Sequence, residues 1–119
     1  MEQPKIFESE YRFCLIVWEQ EPVNSTALCH LAKERLGWSK ATTYTVIRRL
    51  CERGVLQNEN ATVKSLVSKA DAQRAEMDEL LEKTFEGSLP AFIAAFSRKK
   101  LKKEDIAQLQ ELIDSYGKE

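Results

Sequence analysis

With 119 residues, 43% of them hydrophobic and 31% charged, the chain has room for one compact domain, or for a head of about seventy residues carrying a helical appendage. Four glycines and three prolines argue against a disordered tract. No run approaches the ~18 apolar residues of a membrane span, and Met1-Glu2-Gln3-Pro4 lacks the basic-then-apolar order of a signal peptide, so a cytoplasmic protein without direct membrane insertion is expected. The formal net charge of −1 hides a gradient: residues 1–32 hold two basic and five acidic groups, residues 33–53 six and two, residues 70–119 eight and eleven. Only the middle segment is suited to gripping phosphates.

In chain order, Ser9–Trp18 predicts a helix that is apolar almost all round and therefore central, with Ser9 as its N-cap. Pro22 breaks it. Asn24-Ser25-Thr26 offers caps for a second helix, Thr26–Leu36, closed by Gly37. Ser39 caps a third, Lys40–Glu52, which ends at Arg53-Gly54. On it Thr43, Val46, Ile47 and Leu50 form a packing stripe, while Ala41, Tyr44, Thr45, Arg48 and Glu52 lie opposite, flanked by Arg49. Val55–Asn58 and Thr62–Val67, joined through Glu59-Asn60-Ala61, read as a small hairpin. Ser68-Lys69-Ala70-Asp71 matches a capping box and opens a long helix to about Phe85, stopped by Gly87-Ser88. Two further helices are expected, Leu89–Arg98 and about Lys102–Tyr116, the last stopped by Gly117. Arg98–Lys103 between them reads as a solvated lysine-rich loop.

Three helices followed by a hairpin, the third helix basic on its free face, is the order of a winged helix-turn-helix. A helix in a major groove keeps an apolar back on its own domain and offers polar and basic groups to bases and phosphates. Ser39, Lys40 and Thr42, near the helix N-terminus, suit phosphates. Tyr44, Thr45 and Arg48 suit base edges, with Arg49 beside them; Tyr44 alone is as well explained by covering a neighbouring helix. Lys64 is the basic residue of the hairpin and stands between a wing contact and plain surface.

The predicted fold is thus mainly α: residues 1–69 a winged helix-turn-helix DNA-binding domain, residues 70–119 a helical dimerisation domain. The C-terminal helices each own an apolar face but are few and short for a core of their own. Met77, Leu80, Leu81, Phe85, Phe92, Phe96, Ile106, Leu109, Leu112 and Ile113 are expected to pack against a second copy. Cys14, Cys29 and Cys51 stand apart without a C-x-x-C pair and read as free thiols; Cys29 and His30 point about 100° apart on a helix, so we assign no metal and no cofactor. One histidine, no paired carboxylates in an apolar setting and no Gly-rich phosphate loop give no enzyme chemistry to assign.

Trp38-Ser39-x-x-Thr42-x-x-Thr45-x-Ile47-x-Arg49-Leu50-x-x-x-Gly54 resembles the signature of the penicillinase repressor family, which includes methicillin-resistance and copper-responsive repressors. Glu10-Tyr11, Ile16-Val17-Trp18, Ser65-Leu66-Val67, Gly87-Ser88 and Glu104-Asp105-Ile106-x-x-Leu109-x-x-Leu112-Ile113 extend the similarity over nearly the whole chain. The resemblance implies a homodimer that binds a palindromic double-stranded DNA operator and represses transcription. It also implies a membrane-bound metalloprotease sensor that relieves repression by cleavage in the C-terminal half. Matched by position, the cleaved bond is Ala95-Phe96, where Ala stands in place of the family's Asn. No C-terminal cysteine cluster matches the copper-responsive variant. The hairpin is about four residues shorter than the family pattern, with Val63 and Lys64 in place of its aromatics, and Tyr44 stands where many members carry a basic residue. The short wing leaves a second reading, a winged helix that has lost DNA binding and docks another protein.

Overall fold

The computed structural model describes residues 4–96 and 101–117, the side chain of Phe96 excepted. The chain divides into two compact units, Met1–Glu76 and Met77–Glu119. Its elements are α1 (Glu8–Gln20), β1 (Val23–Asn24), α2 (Ser25–Leu36), α3 (Lys40–Glu52), β2 (Leu56–Glu59), β3 (Thr62–Ser65), α4 (Lys69–Phe85), α5 (Leu89–Phe96) and α6 (Lys103–Gly117). Helices and a small antiparallel sheet are the mainly helical, winged architecture that the sequence predicts.

The first unit is organised around α1, whose Phe13, Cys14, Ile16 and Val17 are buried together with Leu28 and Ala32 of α2, Ile47 and Leu50 of α3, and Val55, Leu56 and Val63 of the hairpin. Fully burying side chains of this size contributes about 1.5–3 kcal/mol each before entropy is subtracted, so this cluster is what fixes the angle between α2 and α3. Trp38, in the turn between them, stacks on Phe13 with ring centroids 5.3 Å apart. The predicted bounds of α3 hold, as does its Ser39 cap: the Ser39 hydroxyl accepts from the Thr42 amide at 3.1 Å. Gly37 ends α2 at φ 72°, a left-handed position that glycine adopts without a Cβ clash.

Three readings of the first unit are corrected. The cap of α1 is Phe7 and not Ser9, because Glu10 reaches back to accept from the Phe7 amide at 2.9 Å; Ser9 lies inside the helix. α2 begins at Ser25, with the Asn24 side chain accepting from the Thr26 amide. The hairpin is part of a three-stranded sheet in the order β1-β3-β2, since Val23 and Asn24 pair with Val63 and Thr62. Its turn is only Asn60-Ala61, both at positive φ (52° and 63°), the geometry of a type I′ turn. Val55 and Leu66 flank the strands and are tied by the Leu66 amide donating to the Val55 carbonyl.

In the second unit the Ser88 hydroxyl caps α5 by accepting from the Ala91 amide, and the Asp105 carboxylate accepts from the Lys102 amide before α6. Gly117 belongs to α6 rather than stopping it. Residues 97–100, part of the predicted fifth helix and of the lysine-rich loop, lie outside the described residues, as does the Phe96 side chain. Of the residues expected to pack on a second copy, Leu81, Phe85, Phe92 and Leu109 are half-buried and Met77, Leu80, Ile106, Leu112 and Ile113 are exposed. Phe85 and Phe92 meet edge to face at 5.4 Å. No described residue of α5 or α6 is buried.

Candidate nucleic-acid interface

Helix α3 turns Thr43, Ile47 and Leu50 into the core and leaves the opposite face in water. Every residue singled out on it is at least partly accessible: Ser39, Lys40, Thr42, Tyr44, Arg48 and Arg49 are exposed and Thr45 is half-exposed. Their hydrogen bonds distinguish them. The Ser39 hydroxyl, already accepting from the Thr42 amide, donates to Thr42 Oγ1 at 3.0 Å, which leaves the Thr42 hydroxyl proton as the one available to an incoming acceptor. Thr45 donates to the Ala41 carbonyl at 2.9 Å and therefore presents its methyl and an oxygen lone pair outward. Tyr44 Oη lies 3.5 Å from Ser25 Oγ, so its ring leans on the start of α2 with 36% of its surface exposed. Arg48 is only loosely paired with Glu52, at 3.9 Å with both side chains about 70% exposed, a contact that a stronger acceptor displaces easily. Glu52, on the same face one turn on, disfavours phosphate at the C-terminal end of α3, so the helix offers its first two to three turns.

The basic middle segment is not uniformly available. Arg53 is committed: it pairs with Glu10, donates to the Lys5 carbonyl at 3.0 Å and lies over the Phe7 ring. Arg35 donates to Glu19 at 3.1 and 3.3 Å. Lys33, Lys40 and Arg49 carry no ion pair among the described residues. Sequence reasoning counted all of these cations alike, because ion pairs across 16 and 43 positions leave no local signal.

Lys64 is exposed on β3 opposite Gln57 of β2, on the face of the sheet turned away from the core. The hairpin does not project: β1 pairs along β3 to its end, and the Ser25 amide donates to the Ala61 carbonyl at 2.7 Å. The tip is thereby fastened to the start of α2. At the other end Glu21 accepts from both the amide and hydroxyl of Ser65, at 2.7 and 2.8 Å. A cleft of about 590 Å³ separates α3 from β2 and is lined by Tyr44, Arg48, Cys51, Gln57 and Leu66 among others.

One group went unnoticed in the sequence. α2 places Thr26, Cys29, His30 and Lys33, at positions i, i+3, i+4 and i+7, beside Ser39 and Lys40 around a cleft of about 420 Å³. The signal was the i, i+3/i+4, i+7 recurrence of polar residues on α2, legible only once α3 is known to start next to it.

Two of the thiols are held in their protonated form. Burial, and then the neighbouring Glu10 carboxylate, pushes Cys14 up to about 12 against the opposing pull of Arg53; Cys51 is raised chiefly by burial. Neither is a thiolate near neutrality, the form that attacks or ligates.

The sequence model of the penicillinase repressor matches residues 6–115. The chain belongs to the penicillinase repressor family. Members are regulators of transcription, repressors that bind DNA. Curated proteins yield no significant match. Among the described residues of this family member no helix is long and apolar enough to cross a membrane.

Proposed function

We propose that the protein is a homodimeric transcriptional repressor that reads a palindromic operator with α3 of each copy, residues 1–69 supplying the DNA-binding head and residues 70–119 the dimer contact. The carrying observation is the division of labour on α3: a buried stripe of Thr43, Ile47 and Leu50 behind, and Arg48, Thr45 and Lys40 accessible in front. Arg48 is assigned to a guanine edge, the Thr45 methyl to a thymine, and Thr42, Lys40 and Arg49 to phosphates. Ser39 acts through the cap that holds Thr42, and Tyr44 through its contact with α2 and its exposed edge. Lys64 supplies a phosphate contact from the sheet. Met77, Leu80, Leu81, Phe85, Phe92, Phe96, Ile106, Leu109, Leu112 and Ile113 are assigned to the dimer. A repressor of this kind works in the cytoplasm without a cofactor or catalysis, and a membrane-bound metalloprotease sensor that cuts at Ala95-Phe96 is its proposed release.

The test is a gel shift on the DNA upstream of the protein's own gene at two salt concentrations. Binding that is selective and falls steeply with salt is expected; equal weak binding to any duplex would favour the second reading, a protein-docking winged helix, for which the fastened hairpin is the specific observation. Arg48→Ala is expected to weaken operator binding by about 1–3 kcal/mol with the fold intact.

A further inference from the structure

The cleft between α2 and the start of α3 is the strongest unassigned feature of the head. Lys33 and His30 reach it from α2 and Lys40 from α3, all three exposed, and none has an ion pair among the described residues. The floor is Cys29, 7% exposed, and the rim is completed by the hydroxyl-bearing Thr26 and Ser39. Among the described residues no carboxylate lines it. The two other basic residues of this stretch that lie off the reading face, Arg35 and Arg53, are neutralised by Glu19 and Glu10. Of the three cations of this stretch without an ion pair among the described residues, Lys33 and Lys40 therefore meet at one spot at the edge of the reading face, while Arg49 lies elsewhere on α3.

The chemistry of that spot is narrow. Two ammonium groups and an imidazole with its ring N–H are donors, and they line from two elements a space that admits a tetrahedral oxyanion. The cleft opens at the end of α3 that enters the groove, where a duplex docked on Arg48 and Thr45 must bring one of its strands past.

We propose that Lys33, His30 and Lys40 form a two-helix clamp for a single backbone phosphate of the DNA strand flanking the bases read by α3. This rests on the DNA-binding reading above and adds α2 to the interface. The clamp carries no sequence information; it sets the register of α3 in the groove.

The test is the salt dependence of binding, measured by fluorescence anisotropy on an operator duplex and on a duplex of scrambled sequence. Wild-type protein comes first: absence of salt-dependent binding would overturn the DNA reading itself, independently of the clamp. Given such binding, Lys33→Ala together with Lys40→Ala is expected to lower the slope of log K against log salt by about 1, the count of one phosphate, and to weaken both duplexes by the same factor. A slope that stays at the wild-type value, or a loss confined to the operator, overturns the clamp. His30→Gln, which keeps an N–H donor, is expected to bind more tightly than His30→Ala; equal binding by the two removes His30 from it. All three positions substituted are on the surface, and an unchanged thermal midpoint verifies the fold. Saturable binding of inorganic phosphate to the protein alone at constant ionic strength would overturn the strand assignment in favour of a free anion.

Discussion

Helices α1 and α6 are nearly the same length, 13 and 15 residues, yet five residues of α1 are buried and none of α6. Both carry an apolar stripe, so the difference is one of cover. α1 is wrapped by α2, α3 and the sheet, with its polar ends answered: Trp18 Nε1 donates to the Val67 carbonyl, Glu21 holds Ser65, Glu10 holds Arg53. The stripe of α6 leaves Ile106, Leu112, Ile113 and Tyr116 more than half exposed. A groove of about 650 Å³ lined by Met77, Phe92, Ile93, Leu109 and Leu112, with others, runs through the same unit. The head completes its core within one chain; the C-terminal unit has the side chains for a core and too few layers to close it.

The largest effect should come from cutting into the completed core. Phe13→Ala is expected to destabilise the head by about 3–5 kcal/mol in thermal or urea unfolding. Leu112→Asp, by contrast, should leave the unfolding of the head unchanged and convert a dimeric mass to a monomeric one in light scattering; a monomeric wild-type protein, or a dimeric variant, would break the comparison.

Next in size is the ion pair that closes the head. Arg53→Ala strands a Glu10 carboxylate of which 9% is exposed, and about 2–3 kcal/mol should be lost, somewhat under the range for fully buried pairs because Arg53 itself is 27% exposed. Arg53→Lys, which cannot keep its several contacts at once, should recover only part of it. A third and smaller change has the opposite sign. Ala61 occupies a left-handed position at φ 63°, so Ala61→Gly should stabilise the head by roughly 0.5–1 kcal/mol, read as a raised thermal midpoint.

The smallest is a titration. Hydrogen bonds from Arg35 and then Gln20 hold the exposed Glu19 carboxyl below the usual carboxylate range. A depressed acid of this kind adds stability above its unfolded value, which fades as pH falls through the folded one. Arg35→Ala should move the Glu19 midpoint, followed by NMR, up toward the ordinary range, with the Gln20 hydrogen bond holding back the rest.

Much of the head could be read in advance because its signals are local. The Ser39 cap, the Thr43–Ile47–Leu50 stripe and Gly37 each lie within one turn of what they control, and α3 was bounded correctly from them. β1 could not be read: two residues after a proline carry no period-2 pattern, and Val23-Asn24 is a strand only because β3 is beside it. The hairpin turn was equally mute, since Asn60-Ala61 lacks the glycine that usually marks a left-handed pair. Charge is legible only as a count: the sequence supplies six cations in 33–53, and only the folded head tells Lys33 from Arg35 and Arg53.

The hydrogen bond from the Ser25 amide to the Ala61 carbonyl makes the start of α2, the hairpin tip and, through Tyr44, the flank of α3 a single rigid piece. A free wing is a finger that must be frozen when it touches its ligand. Here that cost is met during folding: for the DNA-reading head proposed above, the relief of the surface is set before a duplex arrives, and a duplex of another shape has to supply the deformation itself.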